Sequence, residues 1–379
     1  MMRNSRKGGW PAGKRRAAGL VLLAFLIILA VGGRILGQHL NKEVTVSRDG
    51  FSMNTVIRIS VTGREEAAQS ALDESFALLD HLNDELSLYQ EESTLSKINA
   101  HAGGEGLSVP SDVFTAMAKA QTACQLTDGV FNPLIGPITK LWKINQNPGE
   151  PDAYSLPEQA SLDAALTLTN PDGLELVPAP EKDKGGNVRL ARRGAALDLG
   201  GIAKGYASTL IVNLLRTRGI ASALINLGGN VHVLGTKGGA PWNIGIRNPI
   251  NETTDPIALV LAVGDPERQG IAVVTSGGYE RYRIVNGVRY SHFFDPRTGM
   301  PVNSDLLSAT LVTPDGSMAD ALATAFMIMG SERAMTFLTA HPELGAVLIR
   351  RDASVSLEIL ATENLRSMIR RAVAEVRYF

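Results

Sequence analysis

The chain has 379 residues, of which 44% are hydrophobic and 20% charged, a composition typical of globular proteins that bury a large core. Its single cysteine excludes both a disulfide within the chain and a cysteine-based zinc site. Eight of the 37 lysines and arginines lie within residues 1–42, so residues 43–379 hold 29 basic against 38 acidic groups, a net charge of −9. Such an acidic body argues against nucleic acid as a partner.

The N-terminal segment predicts export across a membrane. Lysine and arginine are frequent in residues 1–16, and residues 17–33 form an unbroken run of 17 apolar and small residues that ends at Arg34. This run is short for a membrane-spanning helix but long for the core of a signal peptide. The basic flank predicts that residues 1–16 stay in the cytoplasm and that the rest of the chain crosses. We therefore expect residues 17–37 to be an uncleaved signal anchor, with a cleaved signal peptide as the alternative.

Hydrophobic periodicity in the body predicts a fold of the α+β or mixed α/β class. Residues 55–61 alternate apolar and polar side chains as a half-buried strand does, and residues 65–88 place apolar side chains on one helical face. After residue 188 strands dominate, without regular βαβ alternation. Further helices are predicted at 111–126, 203–218, 319–329 and 331–340, and further strands at 221–227, 231–234, 242–246, 257–263, 271–275, 288–294 and 307–312.

The sequence also predicts two connectors, a short helix between them and a C-terminal extension. Polar segments rich in proline and glycine are predicted as connectors at 145–151 and 178–186. Between them, Ser155 and Glu158 have the spacing of a capping box that opens a short helix. Residues 351–379 are predicted to form a C-terminal extension made of a strand and a helix.

The segment Asp198-Leu-Gly-Gly-Ile-Ala-Lys-Gly-Tyr206 follows a short apolar run and leads into a predicted helix. Paired glycines at such a corner let backbone N–H groups approach an anion closely, and the helix N-terminus and Lys204 add positive charge. The Asp198 carboxylate could orient a sugar, a base or a metal. The alternative is a tight turn whose glycines serve only backbone conformation and packing. The segment is not a Walker A loop, because the spacing of that motif is absent.

Asp320 and Thr324 are four residues apart and therefore share one face of an otherwise apolar predicted helix. A carboxylate and a hydroxyl that face a core need partners, and Mg²⁺, which takes oxygen ligands and often bridges to phosphate, is one such partner. The alternative is an aspartate favoured by the helix N-terminus and a threonine bonded back to the preceding turn.

His292 lies at the end of a predicted strand, within Tyr290-Ser-His-Phe-Phe-Asp-Pro-Arg-Thr-Gly299. An imidazole with a pKa near neutrality could remove a proton from a hydroxyl nucleophile. The alternative is that Asp295-Pro-Arg-Thr-Gly299 is only a turn and that His292 is a half-buried structural residue.

Three further segments place polar or aromatic groups beside predicted strand ends and loops. Thr275-Ser-Gly-Gly-Tyr279 and Asn226-Leu-Gly-Gly-Asn230 each follow a strand directly, and both suit either phosphate and ribose binding or a hairpin turn. Tyr89 and the corner at 129–133 bring aromatic rings near polar loops, where they could stack on a planar heterocycle or pack in the core.

These motifs occur in one order, and the series resembles the ApbE family, the FAD:protein FMN transferases, over a domain spanning residues 44–350. The motifs that carry the resemblance are Met53-Asn-Thr55, Leu86-Ser-Leu-Tyr89, Thr127-Asp-Gly-Val-Phe-Asn-Pro133 with Leu141-Trp142, Asp198-Leu-Gly-Gly-Ile-Ala-Lys-Gly205, Asn226-Leu-Gly-Gly-Asn230, Thr275-Ser-Gly-Gly-Tyr279, Tyr290-Ser-His-Phe-Phe-Asp-Pro-Arg-Thr-Gly299 and Ala319-Asp-Ala-Leu-Ala-Thr324.

The resemblance implies an enzyme that transfers FMN from FAD to a threonine (or serine) hydroxyl of a partner protein, releases AMP and uses Mg²⁺. It implies a two-part α/β fold related to the tunnelling fold. It also implies work on the outer side of the bacterial inner membrane, facing the periplasm or exterior, which agrees with the predicted signal anchor. The implied acceptors are flavin-carrying subunits of sodium-pumping NADH:quinone reductases (Nqr), Rnf complexes and NosR-type proteins.

Carried over position by position, the resemblance implies three groups of site residues. His292 matches the base that takes the proton of the acceptor hydroxyl. The metal ligands are Asp320, Thr324 and the backbone carbonyl of Gly201. The residues expected to contact the flavin nucleotide, including the polar strand end predicted above, are Met53, Tyr89, Val130, Phe131, Asn132, Asp198, Lys204, Thr275, Ser276 and Gly277.

Four positions depart from the family pattern. Asn54 replaces a glycine, Asn132 and Leu134 replace an aspartate and a threonine, and Ser317 stands where some members have another acidic metal ligand. We expect these changes to alter affinity more than reaction class. Two alternatives stand beside the transferase: a non-catalytic FAD-binding or flavin-carrier protein, and a FAD pyrophosphatase that yields FMN and AMP.

Overall fold

The computed structural model describes residues 43–144, 156–181, 184–250, 255–351 and 357–379, together with Leu26. Apart from Leu26, the predicted basic region and signal anchor lie outside these ranges, and so does all of the 145–151 connector. Within the described ranges, no helix has both the length and the apolar character that a membrane span requires.

Helices and strands are mixed along the chain, so the predicted mixed α/β class is confirmed. The elements up to residue 190 are β1 (Glu43–Ser52), β2 (Thr55–Arg64), α1 (Glu65–Leu86), α2 (Thr94–Ala100), β3 (Leu107–Val109), α3 (Ser111–Leu126), α4 (Gly136–Trp142), α5 (Gln159–Leu166), β4 (Leu174–Pro178) and β5 (Gly186–Leu190). The later elements are α6 (Ala203–Thr217), β6 (Ser222–Leu227), β7 (Asn230–Leu234), β8 (Trp242–Arg247), β9 (Ile257–Val263), β10 (Ile271–Gly277), β11 (Tyr282–Val285), β12 (Val288–Ser291), β13 (Leu306–Thr313), α7 (Gly316–Met329), α8 (Ser331–Ala340), β14 (Gly345–Arg351), β15 (Leu357–Ala361), β16 (Ile369–Ala372) and β17 (Val376–Tyr378).

A nine-stranded sheet forms the middle layer, in the order β1-β2-β6-β7-β10-β13-β14-β15-β17. Its strands pair antiparallel except for β15 and β17, which are parallel. Alternate side chains of β10 face opposite layers: Ala272 and Val274 pack with α7 and α8, and Val273 packs with the small sheet β16-β9-β8. The central strands are therefore buried on both faces, which explains their nearly continuous apolar sequence.

Three parts of the predicted secondary structure need correction. The strand β1 was not predicted, because as an edge strand it buries few of its side chains and lacks a clear apolar period. Residues 357–379 form three strands and a 3₁₀ turn rather than a strand and a helix, and they complete both sheets. Helix α5 begins at Gln159, so Glu158 occupies the N-cap position and not the third position of a capping box.

Helices α6 and α7 cross at two glycines, and this crossing positions the site. A Cβ on Gly205 would lie 2.0 Å from the carbonyl oxygen of Gly316, and one on Gly316 would lie 2.8 Å from that of Gly205. Larger residues at either position would push the helices apart, since packed interiors leave no room for such contacts. The close crossing brings the first turn of α6, which carries Lys204, beside the face of α7 that carries Asp320.

Candidate active site

A cavity opens where the first turn of α6 and the middle of α7 meet the ends of β10 and β12. It contains about 1070 Å³ of empty space, counting the open solvent at its mouth. Twelve of the fourteen predicted site residues line it: Val130, Phe131, Asn132, Asp198, Gly201, Lys204, Thr275, Ser276, Gly277, His292, Asp320 and Thr324.

A second cavity of about 780 Å³ adjoins the first. It is lined by Met53 and Tyr89, the two remaining predicted residues, so the structure brings all fourteen to one region. The walls of both cavities include Asp198, Lys204 and Arg281. Two spaces that share a wall with two cations suit a ligand whose two ring systems are joined by an anionic linker.

The turn at Asp198–Gly201, directly before α6, is a tight structural turn and also borders the cavities. The Asp198 N–H donates to the Pro133 carbonyl oxygen at 2.8 Å, and its Oδ1 accepts from the Gly200 N–H at 2.8 Å. This bond is that of an Asx-turn, so the carboxylate stabilises the tight turn. The same side chain nevertheless lines both cavities, with Lys204 in the first turn of the helix behind it.

Asp320 and Thr324 face the first cavity from α7. Asp320 is only 2% exposed, and its Oδ2 accepts a hydrogen bond of 2.9 Å from the Gly205 N–H. Gly201 lies alongside, because a Cβ on it would be 3.2 Å from the Oγ1 of Thr324. Among the described residues, the Thr324 hydroxyl is not bonded back to the preceding turn, whereas that of Thr336 in α8 donates to the carbonyl four residues earlier.

These oxygen groups fit a hard divalent cation. A buried carboxylate requires a compensating charge, and carboxylate, hydroxyl and carbonyl oxygens are ligands of Mg²⁺. The described residues contain no cluster of three or more His, Cys, Asp or Glu side chains. Asp320, Thr324 and the Gly201 carbonyl are the groups of this cavity that could hold the cation, and phosphate and water could complete its coordination. Ser317 is fully buried and lies outside both cavity linings.

His292 directly follows β12 and lines the first cavity. Its Nδ1 lies 2.9 Å from the carbonyl oxygen of Arg281. A carbonyl only accepts, so Nδ1 carries the proton and Nε2 keeps its lone pair. Burial, together with the positive charges of Arg281 and Lys204, lowers the pKa of His292 to about 4. The imidazole is therefore neutral at pH 7, and among the described residues only its Nδ1 has a hydrogen-bond partner.

Residues Asp295–Gly299 of the His292 motif form a turn, as the turn alternative predicted. The Asp295 carboxylate pairs with the Arg297 guanidinium at 2.7 Å, and its carbonyl oxygen accepts from the Gly299 N–H at 2.8 Å. The Trp142 Nε1–H donates to the Gly299 carbonyl oxygen at 2.8 Å, which fixes this turn on α4.

Asn132 lines the cavity but its amide is engaged elsewhere. Its Nδ2 donates to the Thr169 carbonyl oxygen at 2.7 Å, and its Oδ1 accepts from the Leu134 N–H at 2.9 Å. The family's aspartate could not donate the first of these bonds. The substitution to asparagine therefore ties the corner to the Thr169 loop, and the side chain keeps little capacity for a ligand.

The loop between β1 and β2 explains another departure from the family pattern. Met53 and Asn54 have positive φ angles of 48° and 58°, a conformation in which glycine is unstrained and asparagine is tolerated. The Met53 N–H donates to Asn83 Oδ1 at 3.2 Å, and the Asn54 carbonyl oxygen accepts from Arg281 at 3.1 Å. Tyr89 is 55% exposed on the wall of the second cavity.

Glu280, Arg281 and Asn230 line the first cavity but were not among the predicted site residues. Glu280 and Arg281 follow the Thr275–Tyr279 motif directly, so charged residues beside a glycine-rich strand end were the available signal. Burial raises the pKa of Glu280, against the opposing charges of Lys204 and Arg281. Asn230 is 2% exposed, and within the described structure its buried Nδ2 has no hydrogen-bond partner.

Comparison with known proteins gives the family of this chain. The model of the ApbE family matches residues 53–348. A protein of Treponema pallidum named FAD:protein FMN transferase is 35% identical over 340 residues, covering 87% of this chain and 91% of that protein. A Klebsiella pneumoniae protein of the same name is 33% identical over 305 residues, covering 80% and 89%.

Solved structures of this family share the fold. The flavin transferase ApbE from Vibrio cholerae superposes with a TM-score of 0.73 at 28% identity, covering 86% of this chain and all of that chain. The ApbE protein of Thermotoga maritima gives a TM-score of 0.74 at 26% identity, with the same coverage. The chain therefore belongs to the ApbE family, and the prediction that it is an enzyme of this flavin-transferase kind is confirmed.

Proposed function

We propose that this protein transfers FMN from FAD to a threonine (or serine) hydroxyl of an exported acceptor protein, with Mg²⁺, and releases AMP. The observation that carries the proposal is the meeting of three groups in one cavity. These are the Nε2 of His292, the oxygens of Asp320 and Thr324, and the Lys204 and Arg281 cations.

The substrate assignment rests on the two adjoining cavities. FAD consists of a flavin and an adenosine joined by a pyrophosphate. Lys204 and Arg281 lie in the wall that both cavities share, where they would bind that anionic linker. The exposed ring of Tyr89 borders the second cavity, so this space suits the isoalloxazine. The first cavity holds the groups that would act on phosphorus.

The transfer step balances with one base. The acceptor hydroxyl oxygen forms a bond to the FMN phosphorus, and the bond from that phosphorus to the bridging oxygen breaks. AMP departs with the bridging oxygen, and His292 Nε2 takes the hydroxyl proton. Asp320, Thr324 and the Gly201 carbonyl would hold Mg²⁺, which supplies charge neutralisation on the phosphates. Lys204 contributes the same kind of stabilisation from the helix N-terminus.

The low pKa of His292 is compatible with this role. In the cavity without substrate, burial and two cations disfavour the imidazolium. A bound pyrophosphate brings negative charge beside the ring and raises its pKa toward neutrality, where a general base is most effective. The neutral form required to accept the proton is already present before the substrate binds.

Location and acceptor follow from the N-terminal segment and the resemblance. We propose that the signal anchor holds the enzyme in the bacterial inner membrane with the catalytic domain facing the periplasm or exterior. The acceptor would be a flavin-carrying subunit of the Nqr, Rnf or NosR type.

The test incubates the full chain in detergent with FAD, Mg²⁺ and a flavin-free acceptor of this type. The intact mass of the acceptor and the release of AMP are followed together. A covalent FMN adduct with equimolar AMP supports the proposal. AMP without adduct points to a FAD pyrophosphatase, and bound FAD without either product points to a flavin carrier.

A further inference from the structure

The β11–β12 hairpin stands beside the first cavity and belongs to none of the larger sheets. We propose that this hairpin, residues 282–291, is the docking site of the acceptor protein, which would pair an extended, acidic segment with it to bring the acceptor hydroxyl to His292. This inference rests on the proposed function and specifies the surface that recognises the partner.

The hairpin offers open backbone edges. Its strands pair from Tyr282↔Ser291 to Val285↔Val288. The two connecting residues, Asn286 and Gly287, have φ angles of 51° and 77°, as the tight two-residue turns of hairpins require. In the described structure β11 and β12 form a two-stranded sheet of their own. Unpaired strand edges of this kind are the usual template for adding an extended segment of another protein.

One face of the hairpin is anchored to the protein. Arg283 and Tyr290 are cross-strand partners on this face. Arg283 donates to the Lys143 carbonyl oxygen at 3.0 Å, and the Tyr290 ring lies 5.5 Å from that of Trp142 in α4. The hairpin is therefore held in place. On its other face Arg289 donates to the Gly278 carbonyl oxygen at 2.8 Å, while Tyr282 and Ile284 stay exposed.

The opposite face exposes apolar and cationic groups. Ile284 is 62% exposed and Tyr282 is 44% exposed. The Arg289 guanidinium lies 3.8 Å above the Tyr282 ring, a cation–π contact that orders both side chains. Large, ordered side chains next to a planar cation are the composition of protein-recognition surfaces.

The hairpin lies directly beside His292, the proposed base. Strand β12 ends at Ser291, directly before His292, and β11 begins directly after Arg281, whose carbonyl accepts from His292 Nδ1. A strand rises about 3.3 Å per residue. A segment paired along β12 would therefore pass the base within one or two residues, which is the reach a hydroxyl nucleophile needs.

Charge identifies the chemistry of the partner segment. The hairpin, residues 282–291, contains two arginines and no acidic residue, although residues 43–379 carry a net charge of −9. Of the two, Arg289 lies on the exposed face. A local positive surface on an acidic protein attracts acidic segments and repels basic ones. The geometry therefore points to an acceptor whose residues near the modified hydroxyl are acidic.

The test uses the full chain in detergent with FAD, Mg²⁺ and, as the probe, the flavin-free flavin-carrying subunit of a sodium-pumping NADH:quinone reductase. Ile284→Thr and Arg289→Glu should each raise the KM for this acceptor about tenfold, the usual effect of removing one interface contact. The kcat at saturating acceptor and the Kd for FAD should stay unchanged.

Two matched controls lie away from the cavities. Val177→Thr changes a β-branched residue of β4 that is 61% exposed. Arg216→Glu reverses an exposed charge in the last turn of α6, about 20 Å along the helix from Lys204. Neither should change the KM for the acceptor. Hydrogen exchange provides a second readout, because acceptor binding should protect the amides of residues 289–291.

The outcomes separate the two proposals. Normal FMN transfer by the wild type, with an unchanged acceptor KM in both hairpin variants and no protection at 289–291, overturns the docking site and leaves the proposed function intact. A loss of FAD affinity or of kcat without a change in KM also overturns it, since the hairpin would then only support the cavity. Failure of the wild type to modify the acceptor overturns the proposed function, and the docking site with it.

Discussion

His232 and His292 lie in two different regions of the molecule, and both are neutral rings that carry their proton on Nδ1. The Ser208 hydroxyl donates its proton to the Gly205 carbonyl oxygen, so at 3.1 Å it accepts from the Nδ1–H of His232. The Nδ1–H of His292 donates to the Arg281 carbonyl oxygen. Burial lowers the pKa of each ring to about 4, and each Nε2 keeps its lone pair.

The two histidines differ in whether the ring borders a cavity. His232 is 0% exposed in β7, and its Nε2 is sealed against the backbone of Gly270, where a Cβ would lie 2.9 Å away. His292 lies on a cavity wall together with Lys204 and Asp320. A shifted pKa and a free lone pair therefore do not identify a catalytic base. What distinguishes His292 is an open space for a nucleophile and charges that suit a phosphate.

Two carboxylates of α7 differ in the same way. Asp315 caps the helix through the N–H groups of Ser317 and Met318, and it pairs with the Lys119 ammonium at 2.7 Å. Asp320 accepts from the Gly205 N–H and faces the cavity. The first carboxylate is committed to the fold, and the second is available to a ligand.

The largest expected effect is loss of the base. His292→Ala should reduce FMN transfer by about 10²- to 10⁴-fold and leave the Kd for FAD within about threefold, because the proposed role of the ring is that of a proton acceptor rather than of a main binding contact. His232→Gln is the control and should transfer FMN at nearly the wild-type rate. The measurement is the mass increase of the acceptor over time. Equal losses in both variants would remove the distinction between the two histidines.

The next effect concerns the carboxylates of α7. Asp320→Asn should reduce Mg²⁺-dependent transfer by about 10³-fold, because the metal's charge neutralisation is worth several kcal/mol. Asp315→Asn keeps a good N-cap residue and loses a half-exposed ion pair, so it should cost at most about 1 kcal/mol of stability and leave the rate unchanged. Titration of the rate with Mg²⁺ distinguishes them. Wild-type Mg²⁺ dependence in the Asp320 variant would rule out the metal assignment.

A third effect is the pH dependence of stability. The pKa of His232 is about 4 in the folded protein, against 6.5 for an unperturbed histidine. Between pH 6.5 and 4 the His232 ring is therefore protonated in the unfolded chain but neutral in the folded protein. The free energy of unfolding decreases as the pH falls through this range. At 1.36 kcal/mol per pH unit the single site contributes about 3 kcal/mol. His232→Gln should reduce the slope of the unfolding free energy in urea against pH over this range by the share of one histidine, because His292 has the same low pKa and keeps its own contribution. An undiminished slope would contradict a neutral buried ring.

The smallest effect concerns the hydroxyl that orients His232. Ser208→Ala leaves the buried Nδ1–H without an acceptor and should destabilise the protein by about 1–2 kcal/mol, with little effect on transfer. The matched control is Ser75→Ala, because the Ser75 hydroxyl is equally buried but donates only to the Ala71 carbonyl oxygen. Denaturant midpoints compare the two. The same cost at both positions would mean that the His232 contact contributes nothing.

Local sequence was a good guide to the elements with strong periodicity. Helices α1, α3, α6 and α7 occur where apolar spacing predicted them, although α1 ends at Leu86, two residues early, and α7 begins at Gly316, three residues before its predicted start. The hairpin β11–β12 was predicted only as one strand at 288–294. Its Asn286-Gly287 turn is nonetheless a strong hairpin signal that the sequence contained. Edge strand β1 carried no such signal, because its pairing with β2 rather than its own burial defines it.

The sequence by itself determined the family, the residue types of the site and the helical face that Asp320 and Thr324 share. Short-range periodicity and motif order are sufficient for these properties. Only the tertiary structure decided which lone pairs face a cavity. The bonds that decide it join residues distant in the chain: Asp320 with Gly205, His232 with Ser208, and Asn132 with Thr169. No local pattern specifies such partners, since they meet only when packed helices and strands bring them together.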